Sequence, residues 1–105
     1  LIDWQLPAKD IARRTRAFNA VPVAHSTLAG QTVRIWLAHA SKDETTTAPA
    51  GMILRADKTG LAVAAGQGTV LLIDTLQMAG GKAMSVSLLL NSRPAALQPG
   101  KGFGT

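Results

Sequence analysis

The clearest pattern of apolar residues lies in the second half of the chain, in TVLLIDTLQ at residues 69–77. Residues 70–73 form a continuous apolar run, and the glycine-containing segment 66–68 precedes it. A short apolar run that follows a glycine-rich turn is typical of a strand buried on both faces. We therefore predict a buried strand here and expect it to form the spine of a small barrel.

After this strand, the sequence predicts a loop and then a short helix. Two adjacent glycines favour a loop, which carries a single cation, Lys82. Ser85 has the side-chain oxygen that an N-cap requires, and the mostly apolar run 86–90 follows it. No acidic residue follows Asp74, so the charged side chains in the rest of the chain are all basic.

Near the start of the chain, the residues repeat with the period of an α-helix. We predict a helix from Pro7 to about residue 17 or 18, because proline lacks the amide that the first turn leaves unpaired. One side would face the core, with Ala8, Ile11, Thr15 and Phe18. The other side, called the basic stripe, comprises Lys9, Arg13 and Arg16. Only Asp10 interrupts these cations, whereas a solvated helix face often mixes charges. We interpret the stripe as a binding surface, with a plain solvated face as the alternative.

The middle of the chain has the pattern of short strands joined by tight turns. Strands are predicted at residues 23–28, 32–40, 51–54 and 61–64, and turns at 29–30, 57–60 and 66–68. The polar, threonine-rich segment 41–50 is expected to be a mobile loop. In the tail, residues 95–105, Phe103 is expected to fix a last extended segment to the barrel, as Trp4 fixes the first residues.

The second of these strands carries a candidate surface for nucleic acid. Strict alternation would place Val33, Ile35 and Leu37 on one face and Arg34, Trp36 and Ala38 on the other. A guanidinium binds phosphate, and an indole ring stacks on a base. The other interpretation, which the sequence favours, is that Trp36 covers a second core under the N-terminal helix.

Length and composition fit one domain better than a complete enzyme with a deep cofactor cleft. The chain has 105 residues, of which 47% are hydrophobic, and it has no cysteine. The lack of cysteine excludes disulfides and thiolate metal sites and agrees with a reducing, cytoplasmic location. The chain begins with Leu1 and without the pattern of a signal peptide, so we interpret it as a piece of a longer protein.

The residues that most catalytic and metal sites require are missing or scattered. There is no G-x-S-x-G motif or phosphate loop, and the six acidic residues show no obvious pairing. His25 and His39 fall on different predicted strands without an acidic cluster, so we expect structural or surface roles and no metal site.

The charge of the chain is compatible with a polyanionic binding partner but does not require one. The formal net charge is +5 and the sequence pI is about 10.5. A nucleic-acid partner and a merely positive surface are both compatible with these values. No apolar run is long enough to span a membrane, so no membrane partner is expected.

Several short segments, in the same order along the chain, resemble the C-terminal domain of the methionyl-tRNA formyltransferase family. LQMAGGKAMSVSLLLNSR at residues 76–93 is similar to the family pattern L-Q-x-x-G-K-K-x-M-S-x-x-x-(F/L)-L-N-(G/S)-R. Further matches are IDW at 2–4, RAFN at 16–19, VRIW at 33–36 and GQG at 66–68. Their order and spacing together make the resemblance specific. The chain departs from the pattern at Ala20 and Val21, where relatives carry proline and an aromatic residue, and at Gly81, which replaces a lysine.

Residues and resemblance suggest the same architecture. The expected fold is mainly β, a small antiparallel Greek-key (OB-like) barrel with an N-terminal helix and a short helix in the C-terminal half, forming a single domain over residues 1–105. From the residues alone, an SH3-like barrel would fit nearly as well.

The resemblance also implies a role beside a catalytic domain. In this family, formyl-tetrahydrofolate binds an N-terminal Rossmann-like domain through an Asn-His-Asp set, and the C-terminal domain holds the body of the initiator tRNA. This chain is then expected to be no enzyme alone, to bind no cofactor, and to dock methionyl-tRNA as a monomer beside the N-terminal catalytic domain. The expected tRNA-binding residues are Lys9, Arg13, Arg16, Arg34, Lys82 and Arg93. The alternative is the supporting barrel of a formyltransferase that acts on sugar nucleotides, without an RNA partner.

Overall fold

A computed structural model describes residues 2–17, 24–28, 30–92 and 97–104, with the exception of the side chains at 14–17 and 92. Within these residues the chain forms two α-helices, six β-strands and one 3₁₀ helix. In chain order they are α1 (Ala8–Ala17), β1 (His25–Leu28), β2 (Gln31–Thr45), β3 (Ile53–Asp57), β4 (Gly60–Ala64), β5 (Thr69–Gln77), β6 (Ala83–Ser85), α2 (Val86–Leu89) and the 3₁₀ helix (Leu90–Ser92).

The strands form one antiparallel sheet in the order β1-β2-β5-β4-β3, and β6 pairs with the end of β5. The strands β3, β4 and β5 are neighbours in turn, and β2 lies beside β5, which is a Greek-key arrangement. Central strand β5 buries Val70, Leu71, Ile73 and Leu76. The predicted buried strand is therefore confirmed, as is the mainly β Greek-key barrel with an N-terminal helix and a short second helix.

Residues near the end of the described chain close the barrel between its two edge strands. Phe103 forms a β-bridge with Leu28 of β1, and Gly102 forms one with Met52, next to β3. The Phe103 amide also donates to the Gly51 carbonyl oxygen at 2.7 Å. The prediction that Phe103 fixes a last extended segment is confirmed.

An aromatic pair joins this closing segment to the start of the chain. The rings of Trp4 and Phe103 stack with centroids 5.0 Å apart and an interplanar angle of 28°. The Trp4 indole donates its N–H to the hydroxyl of buried Ser26 at 2.9 Å. Trp4 thus packs the first residues onto the barrel as predicted, and its one polar group has a partner.

Helix α1 is fixed to the barrel at its first turn. It starts at Ala8, one residue after the predicted start, and the Pro7 carbonyl accepts hydrogen bonds from the Asp10 and Ile11 amides. The Ala8 amide, which has no acceptor within the helix, donates to the Thr69 hydroxyl at 2.8 Å. A side chain from β5 therefore caps the helix, which no local sequence signal indicated.

The segment before α1 lies directly against Gly66. The Gly66 amide donates to the Leu6 carbonyl oxygen at 2.8 Å. A Cβ at Gly66 would lie 1.7 Å from the Gln5 carbonyl oxygen, so any larger residue would force the two backbones apart. This close approach explains why a glycine stands at the turn between β4 and β5.

Strand β2 is longer than predicted, and the mobile loop expected at residues 41–50 is wrong for its first half. The strand continues to Thr45, which pairs with Thr69 of β5 after a register shift. Two features support the extension: threonine favours extended backbone, and Glu44 forms a bidentate ion pair with Arg55 of β3. The polar composition of residues 41–45 therefore led to the prediction of a loop where the structure has a strand.

The prediction that Leu37 shares the buried face of Val33 and Ile35 is also wrong. Leu37 is 47% exposed, whereas Ala38 is buried. The register between β2 and β5 shifts on both sides of Leu37, which offsets the alternation by one residue. Strict alternation cannot anticipate such bulges.

The other predicted elements lie close to their expected positions. Leu28 of β1 pairs with Gln31 of β2, and Asp57 of β3 pairs with Gly60 of β4, so both predicted hairpins are present. The short strand β6, which was not predicted, separates the glycine loop from α2. The Ser85 hydroxyl accepts the amide of Leu88 at 3.3 Å, so the predicted N-cap is confirmed. Of the strand predicted at residues 23–28, residue 23 falls outside the described residues, and residue 24 precedes β1. The predicted core residue Phe18 also falls outside the described residues.

The buried position of Ile73 yields a test of the core. Ile73→Ala removes three carbons from a fully buried side chain in β5, and the expected loss is about 2–5 kcal/mol in the free energy of unfolding. That is a large part of the roughly 5–15 kcal/mol available to a small domain. Urea denaturation measures it, with the exposed Leu37→Ala as control. Equal midpoints for the two variants would contradict the assignment of β5 as the core strand.

The ion pair between β2 and β3 yields a second test. The hydrogen bonds from Arg55 lower the pKa of Glu44, so the stability that this pair contributes is present above the carboxyl's unfolded pKa and is lost as the pH falls through the folded pKa. Glu44→Gln is expected to lower stability at pH 7 by at most about 1 kcal/mol, because both side chains are partly exposed. The deficit should shrink between pH 5 and pH 3, as measured by thermal unfolding. A deficit that is equal at both pH values, or shared by the neighbouring Asp43→Asn, would contradict the role of the pair.

Candidate nucleic-acid interface

Four of the six predicted contact residues have side chains that the structure describes, and all four are exposed: Lys9, Arg13, Arg34 and Lys82. Arg16 lies within α1, but its side chain falls outside the described atoms. Arg93 falls outside the described residues altogether.

On α1, the described part of the basic stripe faces away from the core. Ala8 and Ile11 of the predicted core face are buried, whereas Lys9 and Arg13 are exposed. Arg13 lies 3.6 Å from the Asp10 carboxylate, but its side chain is 72% exposed. Such an exposed pair is weak and is screened by salt, so Arg13 can exchange the carboxylate for a phosphate at little cost. The predicted separation of core and basic faces is confirmed for these residues.

At one end of the sheet, a row of side chains crosses four neighbouring strands. His25 of β1 pairs with Arg34 of β2, Arg34 pairs with Gln77 of β5, and Gln77 pairs with Ala83 of β6. Directly opposed residues in antiparallel strands point to the same face. Arg34 is exposed, so this is the outer face of the barrel.

Gln77 links this row to the turn that carries Lys82. Its carboxamide oxygen accepts the indole N–H of Trp36 at 3.0 Å, and its carboxamide nitrogen donates to the Gly81 carbonyl oxygen at 3.0 Å. Residues 78–82 form the connection between β5 and β6, and Lys82 is exposed next to Ala83. The structure therefore brings Arg34 and Lys82 to one end of the barrel.

Trp36 belongs to this surface and not to the described core. It is half-buried, its indole N–H reaches the outer-face side chain of Gln77, and it does not join the cluster of buried side chains. The interpretation that Trp36 covers a second core under α1 stays a prediction, because the side chains at 14–17, which would complete such a core, fall outside the described atoms. Trp36 is the residue that the register shift between Ile35 and Leu37 leaves without a pairing partner in β5.

Lys9 lies near the other end of β5. It follows Ala8, whose amide is bound by Thr69, the first residue of β5, and Gln77 is the last. Eight residues of strand at about 3.3 Å each separate these positions by roughly 26 Å. Arg34 and Lys82 thus form one group, and the start of the basic stripe lies well away from it.

A different basic residue is neutralised by acidic neighbours. Arg55 binds the Glu44 carboxylate, with Nη2 at 2.7 Å from Oε1, and its Nε lies 3.3 Å from the Asp57 carboxylate. The hydrogen bond to Glu44 raises the pKa of Arg55, and the hydroxyl and amide of Thr59 lower the pKa of Asp57. Within the described part of the chain, by contrast, neither Arg34 nor Lys82 forms an ion pair.

The two histidines lie apart on the sheet, His25 opposite Arg34 and His39 opposite Leu72. Among the described residues, no group of three histidine or acidic side chains is placed to hold a metal ion. No helix of the described ranges is long and apolar enough to cross a membrane.

Gln77 is the residue of this surface that sequence reasoning missed. It lies in the LQ pair that opens the family-like segment 76–93, but a neutral side chain was not a candidate for phosphate contact. Only the three-dimensional positions of Trp36 and Gly81 reveal what its carboxamide does.

Comparison with known proteins gives a consistent answer. Residues 1–94 match the family described as formyl transferase, C-terminal domain. A relative from Methylobacillus flagellatus, named methionyl-tRNA formyltransferase, is 46% identical over 105 residues, which are 100% of this chain and 32% of that protein. Proteins of the same name from Variovorax paradoxus and Pseudomonas entomophila are 43% and 46% identical over 103 residues, covering 98% of this chain and 31% and 32% of theirs.

The chain spans about a third of the length of these curated relatives. The family match covers most of the chain and agrees with the order of segments noted above, from IDW at the start to the LQ segment near the end. The chain therefore belongs to the formyl transferase C-terminal domain family.

Proposed function

We propose that this chain is the tRNA-docking domain of a methionyl-tRNA formyltransferase, which holds the body of the initiator tRNA while a separate catalytic domain formylates the attached methionine. The observation that carries the proposal is a pair of exposed cations at one end of the barrel, Arg34 and Lys82, which Gln77 connects and which form no ion pair within the described residues. The names of three relatives provide the substrate class.

The charges of this group suit a phosphate backbone. Both cations are exposed, so binding a phosphate costs them little desolvation, and it releases counterions from the RNA. The row that contains Arg34 spans four strands at about 4.8 Å spacing, which is wide enough for more than one phosphate. Contacts of this kind position an RNA without reading its sequence. That is what docking the body of a tRNA requires.

Under this proposal, formyl transfer takes place in a separate domain of the longer protein. Formyl-tetrahydrofolate would bind the N-terminal catalytic domain of the longer protein, and this chain would contribute no catalytic residue. The domain would act as a monomer in the cytoplasm, where translation begins. A supporting barrel of a sugar-nucleotide formyltransferase is the outcome that the binding experiment below can reveal instead.

The first test is titration of the chain with initiator tRNA at several salt concentrations, followed by filter binding or fluorescence anisotropy. Two or three phosphate contacts should give a slope of roughly −2 to −3 in log affinity against log salt, with micromolar or weaker affinity at physiological salt. Absence of binding at low salt would reject the proposal in favour of the supporting barrel. Binding without salt dependence would reject its electrostatic basis.

Single substitutions then test for a defined surface. Arg13→Ala, Arg16→Ala, Arg34→Ala and Lys82→Ala should each weaken binding modestly and lower the salt slope by about one if that residue contacts a phosphate, with little change in melting temperature. The control is Lys58→Ala, an exposed lysine in the turn between β3 and β4. If the control loses as much affinity as the others, the binding is diffuse attraction to a positive protein, and no docking site exists.

A further inference from the structure

In the turn that presents Lys82, Met78 packs against the buried core, whereas Gly80 has open space around it. Within it the Gly81 amide donates to the Met78 carbonyl oxygen at 2.9 Å, and Gly80 has a φ of +77°. A Cβ built at Gly80 would find no atom within 4 Å, so the turn projects from the barrel. Glycines give such a turn many alternative conformations, and each one would place Lys82 differently.

The side chain of Gln77 restricts the turn from outside it. A carboxamide has one acceptor oxygen and one donor nitrogen, and here each has a partner on a different element. The oxygen accepts from Trp36 on β2, and the nitrogen donates to Gly81 in the turn, both at 3.0 Å. Trp36 lies in β2 between Ile35 and Leu37, which both pair with β5, so its neighbours in the strand hold its backbone in the sheet.

We propose that Gln77 is a positioning residue for RNA binding: its carboxamide ties the turn at 78–82 to Trp36, so that Lys82 is held at the same end of the barrel as Arg34 before any phosphate arrives. Ordering the turn in advance reduces the conformational entropy that would otherwise be lost on binding. Gln77 itself need not touch the RNA. This inference rests on the proposed function, because it specifies how one part of the docking surface is built.

The test is a double-mutant cycle on tRNA affinity. Gln77→Met keeps the length of the side chain and removes both hydrogen bonds. It should weaken binding about as much as Lys82→Ala and lower the salt slope by about one. In the Lys82→Ala background, Gln77→Met should cause little further loss, because the cation that it positions is already gone. The matched control is Gln31→Met, an exposed glutamine at the start of β2.

A second variant tests the same connection from its other end. Trp36→Phe keeps an aromatic ring and removes the indole N–H that Gln77 accepts. Trp36→Phe should weaken tRNA binding, and this loss should disappear in a chain that already carries Lys82→Ala. Melting temperatures of all variants show whether a loss arises from unfolding, and the non-additivity with Lys82 is a result that a general loss of structure would not produce.

The outcomes separate this inference from the function on which it rests. If the unmodified chain does not bind tRNA, the proposed function fails and the inference fails with it. If the unmodified chain binds and Gln77→Met binds equally well, the inference alone is overturned. Losses at Gln77 and Lys82 that simply add would also overturn it, because positioning requires that the two act through one contact.

Discussion

The two edge strands, β1 and β3, have backbone groups that would face solvent if residues 100–104 did not lie between them. The Ile53 amide donates to the Lys101 carbonyl oxygen at 2.7 Å, and the Gly104 amide donates to the Thr27 carbonyl oxygen at the same distance. Both edges are thereby paired, which removes sites at which another chain could add. The stacking of Phe103 on Trp4 holds the closing segment in place. The closure of the barrel therefore depends on residues near both ends of the described chain.

The register shifts between β2 and β5 change which side chains face the outer surface of the barrel. A regular pairing of β2 with β5 would give Trp36 a partner in β5, but the register shift leaves it unpaired and directs its indole N–H to Gln77. Bulges commonly redirect side chains near functional sites. The same irregularity exposes Leu37 and buries Ala38. A local defect in pairing therefore adjusts both the packing inside the barrel and the arrangement of polar groups outside it.

Residues with a strong local signal were predictable, and residues whose role depends on a distant partner were not. The apolar run around Ile73, the Ser85 cap and the aromatic anchor at Phe103 each follow from composition or spacing over a few positions. In the extension of β2 to Thr45, Glu44 binds Arg55 of a different strand and Thr45 pairs with Thr69 of β5, and neither distant partner can be read from the polar segment itself.

In the candidate surface, too, the features with a local signal were predictable and those that depend on distant residues were not. The exposed cations of α1 and the turn could be found from their type and from the family-like segments, because charge and periodicity are local properties. The sequence could not show which cations lie together, since the Gln77 carboxamide connects the 78–82 turn to β2 through hydrogen bonds that have no local signal. The structure places Arg34 and Lys82 at one end of β5 and the first turn of the helix near the opposite end.

The cap that Thr69 provides for Ala8 has a consequence for the order of folding. The two residues are 61 positions apart, and a ten-residue helix is only marginally stable alone. The helix gains this terminal hydrogen bond only when Thr69 of β5 lies beside it, so we expect α1 to be fully capped only once this contact between distant residues has formed. In the native protein, the Ala8 amide proton should then exchange with solvent when the contact with Thr69 opens.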